Sequence, residues 1–169
     1  ENRSSTVKSL LLPEAEDEAL KYVKEAVRAY PELYFSKLVV LGEGDSEELV
    51  LSKVAEAFDV LIDQSFISIV PLGGRFVNHF WKLLNQLEIP YVTLLDYDKD
   101  RGIDGGYGRI KDILKQLILS GKDRNDVLKL RDGSILSDER LEDMHNRVSD
   151  GSEINAINHL KKFDVFFSH

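Results

Sequence analysis

Cysteine is absent from the 169 residues, so the chain has neither disulfides nor thiolate metal sites. That suits a reducing compartment, and any metal must be held by oxygen or imidazole. No run approaches the ~20 consecutive apolar residues of a membrane span. The opening ENRSSTVKSLLLPEAEDEAL has no cationic region followed by an apolar one, so no secretory signal is expected. The expected setting is the cytoplasm, with no membrane partner. Positive charge is also short: 22 Lys and Arg face 30 Asp and Glu, a net charge of -8. That balance argues against nonspecific coating of nucleic acid, which depends on cationic fields meeting phosphate. It leaves open a nuclease whose carboxylates are neutralised by divalent cations. Internal repeats, low-complexity tracts and Pro/Gly-rich linkers are missing too.

The phosphate-binding loops of nucleotide enzymes are equally lacking. A dinucleotide fingerprint beginning at Gly42-x-Gly44 needs glycine at position 47, where Glu47 would oppose a pyrophosphate. A P-loop needs Gly-Lys-Ser/Thr opening a helix, and the one Gly-Lys pair, Gly121-Lys122, runs into Asp123.

What is present is a globular balance, 43% apolar and 31% charged, with alternating periodicities. EAEDEALKYVKEAVRAY predicts an amphipathic helix stopped by Pro31. KLVVL, FISIV and YVTLL read as buried strands; SEELVLSKVAEAFDVLI and RFVNHFWKLLNQL between them show helical spacing. Unbroken apolar strands alternating with helices imply a parallel sheet covered on both faces, βαβαβ from Lys37 to Leu95. Beyond, GRIKDILKQLILS predicts a helix and DVLKL a strand. SDERLEDMHNRV and SEINAINHLKKF predict two more helices, and DVFFS a last strand, so that Ser137 to Phe163 forms a charged helical insertion. Phe76, Val77, Phe80, Trp81 and Leu84 recur at helical spacing and belong to the core. His79, His145, His159 and His169 lack metal-ligand spacing.

The chemistry is expected where acids follow strands. Ligands of open parallel sheets bind beyond the strands' carboxyl ends. Glu43 follows the first strand, Asp96 and Asp98 the third, and Glu47 lies about one helical turn from Glu43. Such a cluster repels itself unless a hard cation joins it, and Mg²⁺ or Mn²⁺ accepts all-oxygen ligands. An Asp-x-Asp pair alone says little, since 16 Asp in the chain produce roughly one by chance. Asp45 with Glu48 fits a helix cap and capping box better than a metal site. Gly73 and Gly74 open a helix whose amides suit phosphate, or merely make the turn. Arg75 and Arg101 are candidate phosphate contacts, although an isolated Arg is more often a solvated surface group.

Glu43-Gly44-x-x-Glu47 after one strand and Asp96-x-Asp98 after a later one resembles the Toprim domain of topoisomerases, primases and certain nucleases. The Gly73-Gly74 turn and the glycine-rich 102–108 segment narrow the likeness to the C-terminal region of class 2 overcoming lysogenization defect (OLD) nucleases, over most of 37–116. The resemblance implies an α/β fold: a Toprim-like parallel-sheet sandwich with helices on both faces and a helical insertion. Its parts would be an N-terminal helical segment (1–36), a Toprim core (37–103), a helical insert (104–162) and the start of a further core strand (163–169). It also implies a two-metal DNA endonuclease using Mg²⁺ or Mn²⁺. Glu43 and Asp96 would be catalytic, Glu43, Glu47, Asp96 and Asp98 metal ligands, and Ser168 a further candidate where the last strand returns to the site. The implied partners are DNA, an N-terminal ABC-type ATPase domain of the same protein, and a second copy in a homodimer. Further acids and a catalytic lysine are expected beyond His169. The competing reading is a non-catalytic Toprim or receiver-like signalling module that binds a metal or partner.

Overall fold

The structure, a computed structural model, describes residues 24, 28–72, 77–99, 101, 105–147 and 151–168. Most of the expected N-terminal helix, Phe76, Gly73, Gly74, Arg75 and part of the 102–108 segment lie outside these residues. Along the chain come β1 (Leu38–Gly42), α1 (Asp45–Ala57), α2 (Ile62–Ser65), β2 (Ile67–Pro71), α3 (Val77–Leu87), β3 (Tyr91–Asp96), α4 (Tyr107–Leu119), α5 (Arg124–Val127), α6 (Asp138–Glu142), α7 (Ile154–Leu160) and β4 (Val165–Ser168). A short 3₁₀ turn, Pro31–Phe35, precedes β1.

The four strands form one parallel sheet in the order β2-β1-β3-β4. The chain leaves β1 toward β2 on one side and then returns to place β3 on the other. The carboxyl ends of β1 and β3 therefore flank the topological switch point, where loops diverge and leave a crevice. Register sets Leu41 beside Val70 and Thr93, Thr93 beside Val165, and Asp96 beside Ser168.

The two sheet faces are unequal. Val39, Leu41, Val70, Thr93, Leu95 and Val165 are buried, whereas Leu38, Val40, Ile67, Ile69, Val92 and Leu94 on the opposite face are only half-buried. The difference follows the helices. Helix α3 buries Val77, Phe80, Trp81, Leu83 and Leu84, and each such side chain adds about 1.5–3 kcal/mol of transfer free energy. The Trp81 indole is fully buried and donates to Thr93 Oγ1 at 2.9 Å, so the one polar atom it brings into the core is satisfied. Helix α4 adds Ile110, Ile113, Leu114 and Leu117. By contrast α1 buries no side chain, and Leu49, Val50, Val54 and Phe58 are exposed among the described residues. Helices lie on both faces, as the apolar strands imply, and among the described residues the face of Val39 and Leu41 is the more deeply covered.

DVLKL, expected as a strand, is a correction. Asp123 caps α5 by accepting the Asp126 amide at 3.0 Å, which winds Asp126 and Val127 into a helical turn. Only Lys129 makes a β-bridge, to Ile135 across a tight turn. The charged region divides into α6, α7 and 3₁₀ turns at Asp143–Asn146 and Lys161–Phe163. No helix among the described residues is long and apolar enough to cross a membrane.

Candidate functional site at the β1/β3 switch point

Glu43 is the first residue beyond β1 and Asp96 the last of β3, so adjacent strands deliver them to the same rim. The Asp96 amide donates to Glu43 Oε2 at 2.9 Å, which ties together two acidic motifs 53 residues apart. The Asp96 carboxylate turns to β4, where the Ser168 hydroxyl donates to Oδ1 at 2.6 Å. Glu43, Asp96 and Ser168 thus form a continuous polar line across three strand ends.

Glu43 has a second partner that the sequence reading passed over. Arg109, on the first turn of α4, donates through Nη2 to Glu43 Oε2 at 2.6 Å, with side chains 14% and 24% exposed respectively. A charge-assisted bond this short and sheltered is stronger than a surface ion pair. The Arg109 Nε is buried and has no hydrogen-bond partner among the described residues. The clue in the sequence was an arginine placed directly after a glycine-rich segment that follows an acidic motif. Its pairing with an acid 66 positions earlier was not legible.

Those glycines have a steric reason. A Cβ on Gly105 would lie 1.9 Å from the Asp98 carbonyl oxygen, closer than any side chain tolerates. Gly106 adopts φ +56° as the N-cap of α4, a left-handed conformation that favours glycine, and its amide bonds the Tyr97 carbonyl at 3.2 Å. The segment after β3 therefore folds back onto residues 97–98 and brings Arg109 over Glu43. Tyr97, 3% exposed and edge-on to Phe167, anchors this loop between its two aspartates.

The remaining expected ligands each have a local partner. Glu47 accepts the Gly44 amide at 2.6 Å, closing the N-terminus of α1. The cap is therefore Gly44 with Glu47, one residue earlier than the Asp45 and Glu48 pair inferred from sequence, because extended Gly44 starts the helix at Asp45. Asp98, at φ +50°, pairs with Arg101 at 3.0 Å, and Arg101 is 69% exposed. An ion pair that open contributes little. Among the described residues no three Asp, Glu or His side chains gather closely enough to hold a cation. The donor chemistry, all oxygen with no thiolate, would suit a hard divalent ion, and Glu43 and Asp96 are the two carboxylates that adjacent strands bring to this rim. In this arrangement Arg109 supplies the positive charge next to Glu43.

Residues 34–98 match the family described as overcoming lysogenization defect protein-like, TOPRIM domain. Two solved structures of the C-terminal region of the Xanthomonas campestris pv. campestris OLD protein, phased with platinum and with mercury, share the fold. They are 21% and 23% identical, both with a TM-score of 0.52, covering 82% and 80% of this chain and 52% of each of theirs. The chain thus spans about half the length of the structures it matches. No curated protein matches it. Residues 34–98, which carry β1, β2, β3 and the acids at their rim, thus match the TOPRIM domain of the OLD-like family.

Proposed function

We propose that this Toprim domain is the nuclease part of a divalent-metal-dependent DNA endonuclease, coupled to an N-terminal ABC-type ATPase in the same protein and working as a homodimer. The observation that carries the reading is the hydrogen bond from the Asp96 amide to the Glu43 carboxylate across the switch point. Two acidic motifs distant in sequence share one rim of the sheet, where ligands of such folds bind.

In this reading Glu43 and Asp96 hold Mg²⁺ or Mn²⁺, with Glu47, Asp98 and Ser168 as the further oxygen donors. When bound, a cation pair of this kind activates water and offsets charge on the phosphodiester and its leaving oxygen. The protein's own part is positional. The Asp96 amide and Arg109 fix the Glu43 carboxylate, and Ser168 fixes Asp96. Arg109 carries a guanidinium suited to a scissile phosphate. Gly73, Gly74, Arg75 and Arg101 are proposed to contact flanking phosphates. The test is cleavage of supercoiled and linear DNA by the intact protein with and without chelator. Glu43→Gln and Asp96→Asn should each abolish chelator-sensitive cutting, and undiminished cutting by both would reject the assignment.

One observation favours a second reading, a non-catalytic module that binds a partner or metal. The Arg109–Glu43 ion pair already balances the acid that would carry the metal. An intact protein that never cuts, with Glu43→Gln altering only partner binding, would establish that alternative.

A further inference from the structure

A cavity of about 590 Å³ opens between α4, α5, α7 and the turn carrying Lys129–Gly133. Its volume falls in the ~300–1,000 Å³ span of small-molecule sites. The floor is apolar, with Leu114, Leu128 and Met144 all buried. Four cations, Lys129, Arg131, Arg147 and Lys162, stand exposed around it, and no acid among the described residues lines it, although acids outnumber bases in the chain. None of these four cations joins an ion pair with an acid among the described residues. The Arg147 guanidinium lies 4.6 Å from the centre of the Tyr107 ring, whose hydroxyl is 2.5 Å from Ser152 Oγ. That contact holds one cation at the mouth. Asn155 and Asn158 also line the wall, and their amides bond no described side chain. An amide offers both donor and acceptor, which suits the edge of a heterocycle and is of no use to an alkyl chain.

We propose that this cavity binds a nucleotide unit, its base on the apolar floor with an edge at Asn155 and Asn158 and its phosphate on the basic rim. In the nuclease reading, on which this part rests, the unit belongs to the DNA strand flanking the cut. Tyr107, which lines the cavity, and Arg109, which touches Glu43, sit two residues apart on the first turn of α4, with Cα atoms about 5–6 Å apart. Side chains two apart on a helix face opposite sides, so a strand reaching from the cavity to Glu43 passes around the N-terminus of α4.

The experiment uses the full chain in chelator, so that nothing depends on cutting. Fluorescence anisotropy with an end-labelled short single-stranded oligodeoxynucleotide measures strand binding, and dAMP and inorganic phosphate serve as competitors. The double variant Arg147→Gln/Lys162→Gln should bind the strand about tenfold more weakly and with a shallower salt dependence. Asn158→Leu should weaken the strand and dAMP while leaving phosphate competition unchanged. These side chains are exposed, and an unchanged melting temperature reports that the variants are folded. Strand and dAMP binding that ignore both variants would overturn the pocket. Loss of dAMP binding with intact strand binding would overturn the assignment to DNA and point to a free nucleotide. Strand binding through the cavity in an intact protein that never cuts would sink the nuclease reading and leave the pocket standing.

Discussion

Replacing Arg109 with Met removes the guanidinium that Glu43 faces while keeping an unbranched side chain of similar reach. The cost can be bracketed from the geometry. Exposed ion pairs contribute about 0.2–1 kcal/mol, and breaking a fully buried one costs about 3–5 kcal/mol. With Arg109 14% and Glu43 24% exposed, and the Asp96 amide still donating to the carboxylate, the pair lies between these limits. About 1–3 kcal/mol is expected for Arg109→Met. For a chain of this size that lowers the melting temperature by roughly 2–12 °C. Thermal unfolding in chelator of the parent, Arg109→Met, Glu43→Gln and the double variant closes a mutant cycle. A coupling energy of at least about 1 kcal/mol is expected, since the two groups are in contact. Saturating Mn²⁺ should restore part of the loss in Arg109→Met, because a cation at Glu43 takes over the role of the missing guanidinium. Additive single effects, within about 0.5 kcal/mol, would refute the idea that these side chains balance each other.

Thr93→Val keeps shape but strands the buried Trp81 Nε1 donor, and should cost about 1–3 kcal/mol by urea denaturation. Gly105→Ala forces the loop away from the Asp98 carbonyl, and should shift amide resonances at residues 97–98 and 109 more than those of β2. The Asp132 carboxyl is held below its ordinary range by the Ser134 hydroxyl and amide. A depressed folded pKa gives stability that is present above the unfolded value and lost as pH falls through the folded one. Asp132→Asn should therefore lose stability near neutral pH and show a weaker acid dependence in melting scans, whereas an unchanged acid limb would contradict this turn.

The alternation of strands and helices was legible because unbroken apolar runs such as YVTLL admit few placements, and the structure sets β3 at Tyr91–Asp96. The acids at the carboxyl rim were legible for the same reason: fixing a strand's end fixes the edge on which the next residue falls. What escaped was whatever depended on partners distant in sequence. DVLKL has strand composition, yet the Asp123 cap wound its first half into a turn. Phe58 and Leu49 have helical periodicity, but periodicity does not say what covers the stripe, and both are exposed. Glu47 was set near Glu43 by spacing and Asp98 by its strand end, but their local bonds to Gly44 and Arg101 were not legible. Arg109 was invisible because its role arises from the glycine-driven return of the chain over the sheet rim.

Glu43 and Asp96 are proposed to receive a divalent cation jointly at the switch point. Counting Mn²⁺ bound to the chain by electron paramagnetic resonance tests it most directly. The parent should show saturable binding that Glu43→Gln and Asp96→Asn each weaken by at least about tenfold, the loss of one charged oxygen ligand from a small set. Mn²⁺ affinity identical in all three proteins would contradict the claim.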